Sequence, residues 1–219
     1  MDQNENQLYE DASKLAFDPI WDWTIFHEYE GRAPSRKRKL KPTQRRDALR
    51  LGTMFCRGIA ACQPAADENE RNHFEYEFCV ATNLLRIGAL DHDIHKIVEL
   101  YGDLKPNLTD GQVISFLDCF AKWAYWGKGE IQILAVQILV DEYLKLTPKD
   151  YGNQLRVYGM LRELLENEIE DSPPLTEEIR CRVALAVKAL EGTKAQKTFD
   201  RHRKARKKGL DFNPNPSQA

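Results

Sequence analysis

Apolar positions along this chain recur every three or four residues, and stretches of alternating apolar and polar residues are nearly absent. That period predicts helices. Residues 5–17 read as a short helix, and a second runs from Thr43, as N-cap, to about Cys62. In it Leu51, Phe55 and Ile59 share a face and Arg45, Arg46, Arg50 and Arg57 lie on a basic side. Asp67–Ile87 follows, acidic at its start as the helix dipole prefers, with Gly88 as its stop. Asp91–Tyr101 ends at Gly102. Thr109 caps a helix through Val113, Phe116, Phe120 and Trp123, which Gly127-Lys128-Gly129 terminates.

Residues 130–146 are apolar almost all round, the pattern of a central buried helix. A helix to about Asp171 carries Leu155, Tyr158, Leu161, Leu164, Leu165 and Ile169. After Pro173-Pro174, Thr176 opens a last amphipathic helix with Ile179, Val183, Ala186, Val187 and Leu190 inward. Gly192 either ends it or lets it continue into a basic stretch. The expected fold is all-α: a single helical bundle of about six to eight helices with flexible basic segments and a disordered C-terminal tail. The expected organisation is an acidic and aromatic segment over 1–30, a basic mobile loop over 31–42, a helical core over 43–192 and a basic extension with tail over 193–219. The type of the aromatic segment 20–30 is open. No TPR- or HEAT-like repeat is found.

Charge changes this picture more than composition does. The chain has 219 residues and a formal net charge of −2. Residues 32–50 hold nine Lys or Arg and one acid, and residues 194–208 hold eight and one acid. The rest carries 15 basic against 32 acidic residues. Segregation on this scale points to a polyanion, an import receptor or an acidic surface of another copy, and not to a reaction.

Pro34–Pro42, with Arg36, Lys37, Arg38, Lys39 and Lys41, is similar to a monopartite nuclear localisation signal, and its density also suits a phosphate backbone. Lys37, Arg38, Lys39 and Lys41 are the candidate import residues. For nucleic-acid contacts the candidates are Arg36, Lys37, Arg38, Lys39, Lys41, Arg45, Arg46, Arg203, Lys204, Lys207 and Lys208. The segment 194–208, if helical, is basic around much of its circumference, which argues against a place in the core.

Lys122-Trp123-Ala124-Tyr125-Trp126-Gly127-Lys128 sets aromatics beside lysines, as single-strand binders do. Core packing of these rings is the favoured alternative. Cys56, Cys62, His73 and Cys79, or Asp91, His92, Asp93 and His95, lack the tight pairs of a zinc site, so no metal is expected. Nor is a cofactor: phosphate-cradling glycine loops, nucleophile elbows and dinucleotide fingerprints are all missing.

The reading that follows is a non-enzymatic, nucleic-acid-associated structural protein that binds phosphate without sequence specificity, with RNA favoured and self-association expected. Small viral nucleocapsid or matrix-type proteins follow the same charge logic. The alternative is a nuclear adaptor that binds a partner protein, its basic clusters serving an import receptor. No apolar run is long enough to span a membrane. The acidic N-terminus is neither a secretory signal nor a presequence, and five cysteines, mostly in apolar patterns, suggest reduced buried thiols. A nuclear or cytoplasmic protein is expected, not a secreted one.

Overall fold

The computed structural model of the chain describes residues 3–17, 40–62, 67–145, 158–159, 161–162, 164–166 and 175–207. Among them the structure is all-α, with no strand. The helices are α1 (Gln3–Phe17), α2 (Pro42–Ala61), α3 (Glu68–Gly88), α4 (Ile94–Leu104), α5 (Asp110–Trp126), α6 (Glu130–Lys145), α7 (Glu177–Lys188) and α8 (Lys194–Lys207). Described residues between Tyr158 and Glu166 are helical as well. The aromatic segment 20–30, the loop over 31–39 and the tail from 208 lie outside the described residues.

The start signals act through hydrogen bonds. Asp67 accepts from the Glu70 amide at 2.9 Å. Thr109 and Gln112 cap each other, the Gln112 amide donating to Thr109 Oγ1 at 3.3 Å and the Thr109 amide to Gln112 Oε1 at 3.1 Å. That reciprocal pair satisfies two amides at the head of α5. At α2 the expected cap at Thr43 is displaced. The helix begins at Pro42, whose fixed φ suits the first helical position, and the Lys41 amide donates to Gln44 Oε1 at 2.9 Å. α4 passes through Gly102 to Leu104, because nothing crowds that glycine and Leu104 joins the core.

The helix buried on nearly all sides is α5, not α6 as the apolar run suggested. From Gln112 to Trp126 only Asp118 is not buried. In α6, Ile131, Ile133, Leu134 and Ile138 remain half-buried.

The described residues form two compact units, one up to Leu139 and the other from Val140 onward, so the division falls inside α6. In the first unit α3 lies in the middle, with α1, α2 and α5 packed against it. Leu8 and Ala12 of α1 join Ala48 and Leu51 of α2 and Val80, Leu84 and Ile87 of α3 in one apolar cluster. The Tyr9 hydroxyl donates to Glu77 at 2.5 Å and ties α1 to α3. On the far side, Phe78, Tyr101, Phe116 and Phe120 form a chain of ring contacts with centroids 5.2–6.5 Å apart.

Two glycines set the α2–α3 distance. A Cβ on Gly52 would meet the Ala81 carbonyl oxygen at 2.8 Å, and one on Gly88 would meet the Arg45 carbonyl oxygen at 2.8 Å. Backbone therefore touches backbone at both places.

In the second unit α7 buries Ile179, Val183, Ala186 and Val187, as its pattern predicts. Thr176 Oγ1 accepts from the Ile179 amide at 3.5 Å and caps it. Arg182 pairs with Asp141 at 2.5 Å. Among the described residues, no helix is long and apolar enough to cross a membrane.

The thiols are not mostly buried. Cys56 and Cys119 are, but Cys62 and Cys181 are exposed and Cys79 is half-buried. Burial pushes the Cys119 thiol up to about 12, and burial likewise raises Cys56.

Gly52→Ala should destabilise the protein by about 1–3 kcal/mol through overpacking. Gly58→Ala, in the same helix with open surroundings, should stabilise it by up to about 1 kcal/mol. Urea midpoints of the two variants check the sign at each site. A thiol reagent near neutral pH should label Cys62 and Cys181 in the native protein and reach Cys56 and Cys119 only on unfolding. The native state holds the Cys119 proton between about 9 and about 12 while the unfolded chain releases it, so stability should fall as pH rises through that window.

Candidate polyanion interface

The basic segment 194–208 does not extend α7. α7 ends at Lys188, and Gly192, at φ 82°, lies in the turn that follows. A new helix then starts behind Thr193, whose Oγ1 accepts from the Gln196 amide at 3.2 Å, while the Gly192 amide donates to Gln196 Oε1 at 2.6 Å. No acid stands in the first turn of α8, so the dipole does not favour its lysines there.

Packing holds this helix instead. Phe199 is 2% exposed and meets the Tyr158 ring edge-on at 5.4 Å. One turn later Arg203 forms an ion pair with Glu166, which also pairs with Arg162. Phe199 and Arg203 are four apart and so share a face. α8 is not a core helix: among its described side chains only Phe199 is buried, and that ring docks it.

Docking orders the opposite face. Lys194, Lys197, Arg201 and Lys204 are all exposed. Their spacing of three, four and three residues puts them on one side of the helix. They form a cationic ridge about 15 Å long at 1.5 Å per residue. Lys197, Arg201 and Lys204 have no ion-pair partner among the described residues.

The candidate contact residues thus separate. Lys204 stands on the ridge. Arg203 faces inward, its charge committed to Glu166. Lys207 is the last residue of α8. Arg36, Lys37, Arg38, Lys39 and Lys208 lie outside the described residues.

In the first unit, Lys41 and Arg46 are exposed. Arg45 turns inward, Nη1 donating to the Ile87 carbonyl at 3.2 Å. Arg50 pairs with Glu5, and Arg57 stands 4.0 Å from Asp103. On α2, therefore, Arg45 is committed within its own unit, while Arg50 and Arg57 stay exposed beside their acids.

The Lys122–Lys128 segment follows the core-packing reading. Trp123 is 1% and Trp126 5% exposed, and Tyr125 is fully buried. Trp123 meets Phe120 at 6.4 Å and Tyr125 meets Trp126 at 5.7 Å, so their faces do not offer stacking platforms. Lys122 is 3% exposed, and its ammonium donates to the Arg86 carbonyl at 3.2 Å and the Ala89 carbonyl at 2.5 Å. Neither Arg45 nor Lys122 signals this capping role in its local sequence, because each caps a helix distant in the chain.

His73, Cys62 and Cys56 do not converge, nor do Asp91, His92 and His95. Among the described residues, no group of three or more His, Cys, Asp and Glu is placed to hold a metal.

Phe199→Ala should destabilise the second unit by about 3–5 kcal/mol and lower helical signal in circular dichroism as α8 frays. Lys197→Ala, on the exposed ridge, should stay within about 0.5 kcal/mol of the parent. Equal effects would mean that Phe199 does not hold the helix.

Compared with protein-family models, curated proteins and solved structures, the chain finds no match in any of the three.

Proposed function

We propose that this protein is a non-enzymatic polyanion binder that holds the phosphate backbone of nucleic acid, single-stranded RNA above all, along the exposed ridge of α8. The observation that carries this reading is the amphipathic anchoring of that helix. A solvated tail has no need of a buried aromatic and an inward ion pair. Here both are present, and they fix four cations in a row.

A pre-ordered row of charge gives up less side-chain and backbone freedom on binding than a coil does. Lysine and arginine contacts to phosphate read no bases, so binding is independent of sequence. The exposed Lys41 and Arg46 of the first unit add positive charge for the same class of ligand.

The test is binding of a labelled single-stranded RNA across a salt series, with particle mass recorded in parallel to follow self-association. Each phosphate neutralised on a single strand adds about 0.7 to the slope of log affinity against log salt. Lys197→Glu, Arg201→Glu and Lys204→Glu together should therefore flatten that slope by about 2, with circular dichroism unchanged. A folded triple variant with the parent's slope would overturn the assignment.

A further inference from the structure

The first unit contains a depression of about 470 Å³ that the proposed polyanion interface does not use. Its size falls within the range of small-molecule sites. Leu90, Asp91 and His92 line one side, at the turn after α3. Lys122, Trp123 and Trp126, from the end of α5, and Gly127 and Lys128 complete it.

Three features define the ligand chemistry. First, Lys122 is held by two backbone carbonyls and nearly out of water, so its charge is fixed in the wall. A fixed charge in a low-dielectric wall acts more strongly on a bound anion than one in water. Second, the indole N–H of Trp123 is buried and has no hydrogen-bond partner among the described residues. Buried donors in native proteins almost always have an acceptor. Third, Lys128 and His92 are exposed and line the same depression; Lys128 is a movable donor, and His92, whose Nε2 stands 3.6 Å from the Asp93 carboxylate, has its other ring nitrogen to offer. Asp91 is the one acid among the lining residues.

The other lining is apolar. Leu90 is 42% exposed, a large hydrophobic residue left at the depression, and Trp126, 5% exposed, adds the small part of its ring that reaches the surface there. A ligand that satisfies both halves carries an anionic group with several acceptor oxygens and a small apolar or aromatic body. The donors Trp123 Nε1, Lys128 Nζ and the His92 ring come from different chain segments. That number suits the three free oxygens of a phosphate monoester better than the two of a carboxylate.

We propose that this depression binds a small phosphate monoester, its oxygens taken by Trp123, Lys128 and His92 over the fixed charge of Lys122, and its organic group set against Leu90 and Trp126. The site is independent of the α8 ridge, which belongs to the other unit.

Indole N–H resonances of the ¹⁵N-labelled full chain read the site directly, the Trp123 signal being identified with Trp123→Phe. Should that variant not fold, Trp→Phe changes at the other three tryptophans identify it by elimination. Phenyl phosphate, a nucleoside monophosphate, benzoate and inorganic phosphate are the probes. At least one ester should shift the Trp123 signal saturably in the millimolar range or below, tenfold more tightly than benzoate or inorganic phosphate. Lys128→Glu, a surface change, should weaken that ester at least tenfold, while Lys197→Glu in α8 should not alter it. No saturable shift with either ester, equal binding of benzoate, or an undiminished shift in Lys128→Glu would each overturn the proposal. Inorganic phosphate binding as tightly as the esters would overturn the role given to Leu90 and Trp126.

Discussion

The carboxyl end of α3 is the constraint on which the first unit depends. A helix leaves its last carbonyls without partners inside the helix. Here two cations from distant parts of the chain supply them: Arg45 of α2 reaches Ile87, and Lys122 of α5 reaches Arg86 and Ala89. Both charges also oppose the negative end of the helix dipole. The same place holds Gly88, where any side chain would strike the backbone of α2. Capping, charge and close approach therefore set the positions of three helices at one point. Loss of either cation would leave buried carbonyls unsatisfied, which costs more than the bond itself is worth.

That arrangement explains how an acidic body and basic segments share one chain. Part of the positive charge is turned inward: Arg45 serves a helix end and Arg203 faces Glu166, while Arg50 and Arg57 stay exposed beside Glu5 and Asp103. What remains outward is patterned. On α8 the inward pair, Phe199 and Arg203, fixes the rotation of the helix, and that rotation leaves Lys194, Lys197, Arg201 and Lys204 facing outward. The spacing of these residues gives them a common face on the helix, and docking turns that face outward. The depression beside Trp123 follows a related logic on a smaller scale, with a buried lysine and a buried indole arranged by the end of one helix and the start of a turn.

Helices were legible in this chain because their signals are local. The Asp67, Thr109 and Thr176 caps act within three residues, and the 3.6-residue period of α7 is carried by four side chains that all turned inward. Local signals also misled in places. Pro42 outweighed Thr43 as the marker of the α2 start. The apolar run 131–140 suggested the most buried helix, yet α5, with its Gln112, Ser115 and Lys122, is buried more completely. Gln112 and Ser115 bond within their own helix and cap, but Lys122 is met by carbonyls 36 and 33 residues away, which no window of sequence displays. The same holds for Arg45 and Arg203: both read as surface charge because their partners lie 42 and 37 residues away along the chain.

The sequence by itself determined the class of structure and the sign of its charge. Periodicity, caps and breakers specify all-α elements, and the count of lysines and arginines specifies where positive charge is concentrated. Tertiary structure alone decided which of those charges remain available. A cation's environment depends on what long-range packing brings within a few ångströms of it, and apolar contacts such as Phe199 on Tyr158 set that packing. One buried ring therefore does what seventeen basic residues in the two clusters do not do by themselves: it gives part of that charge a direction.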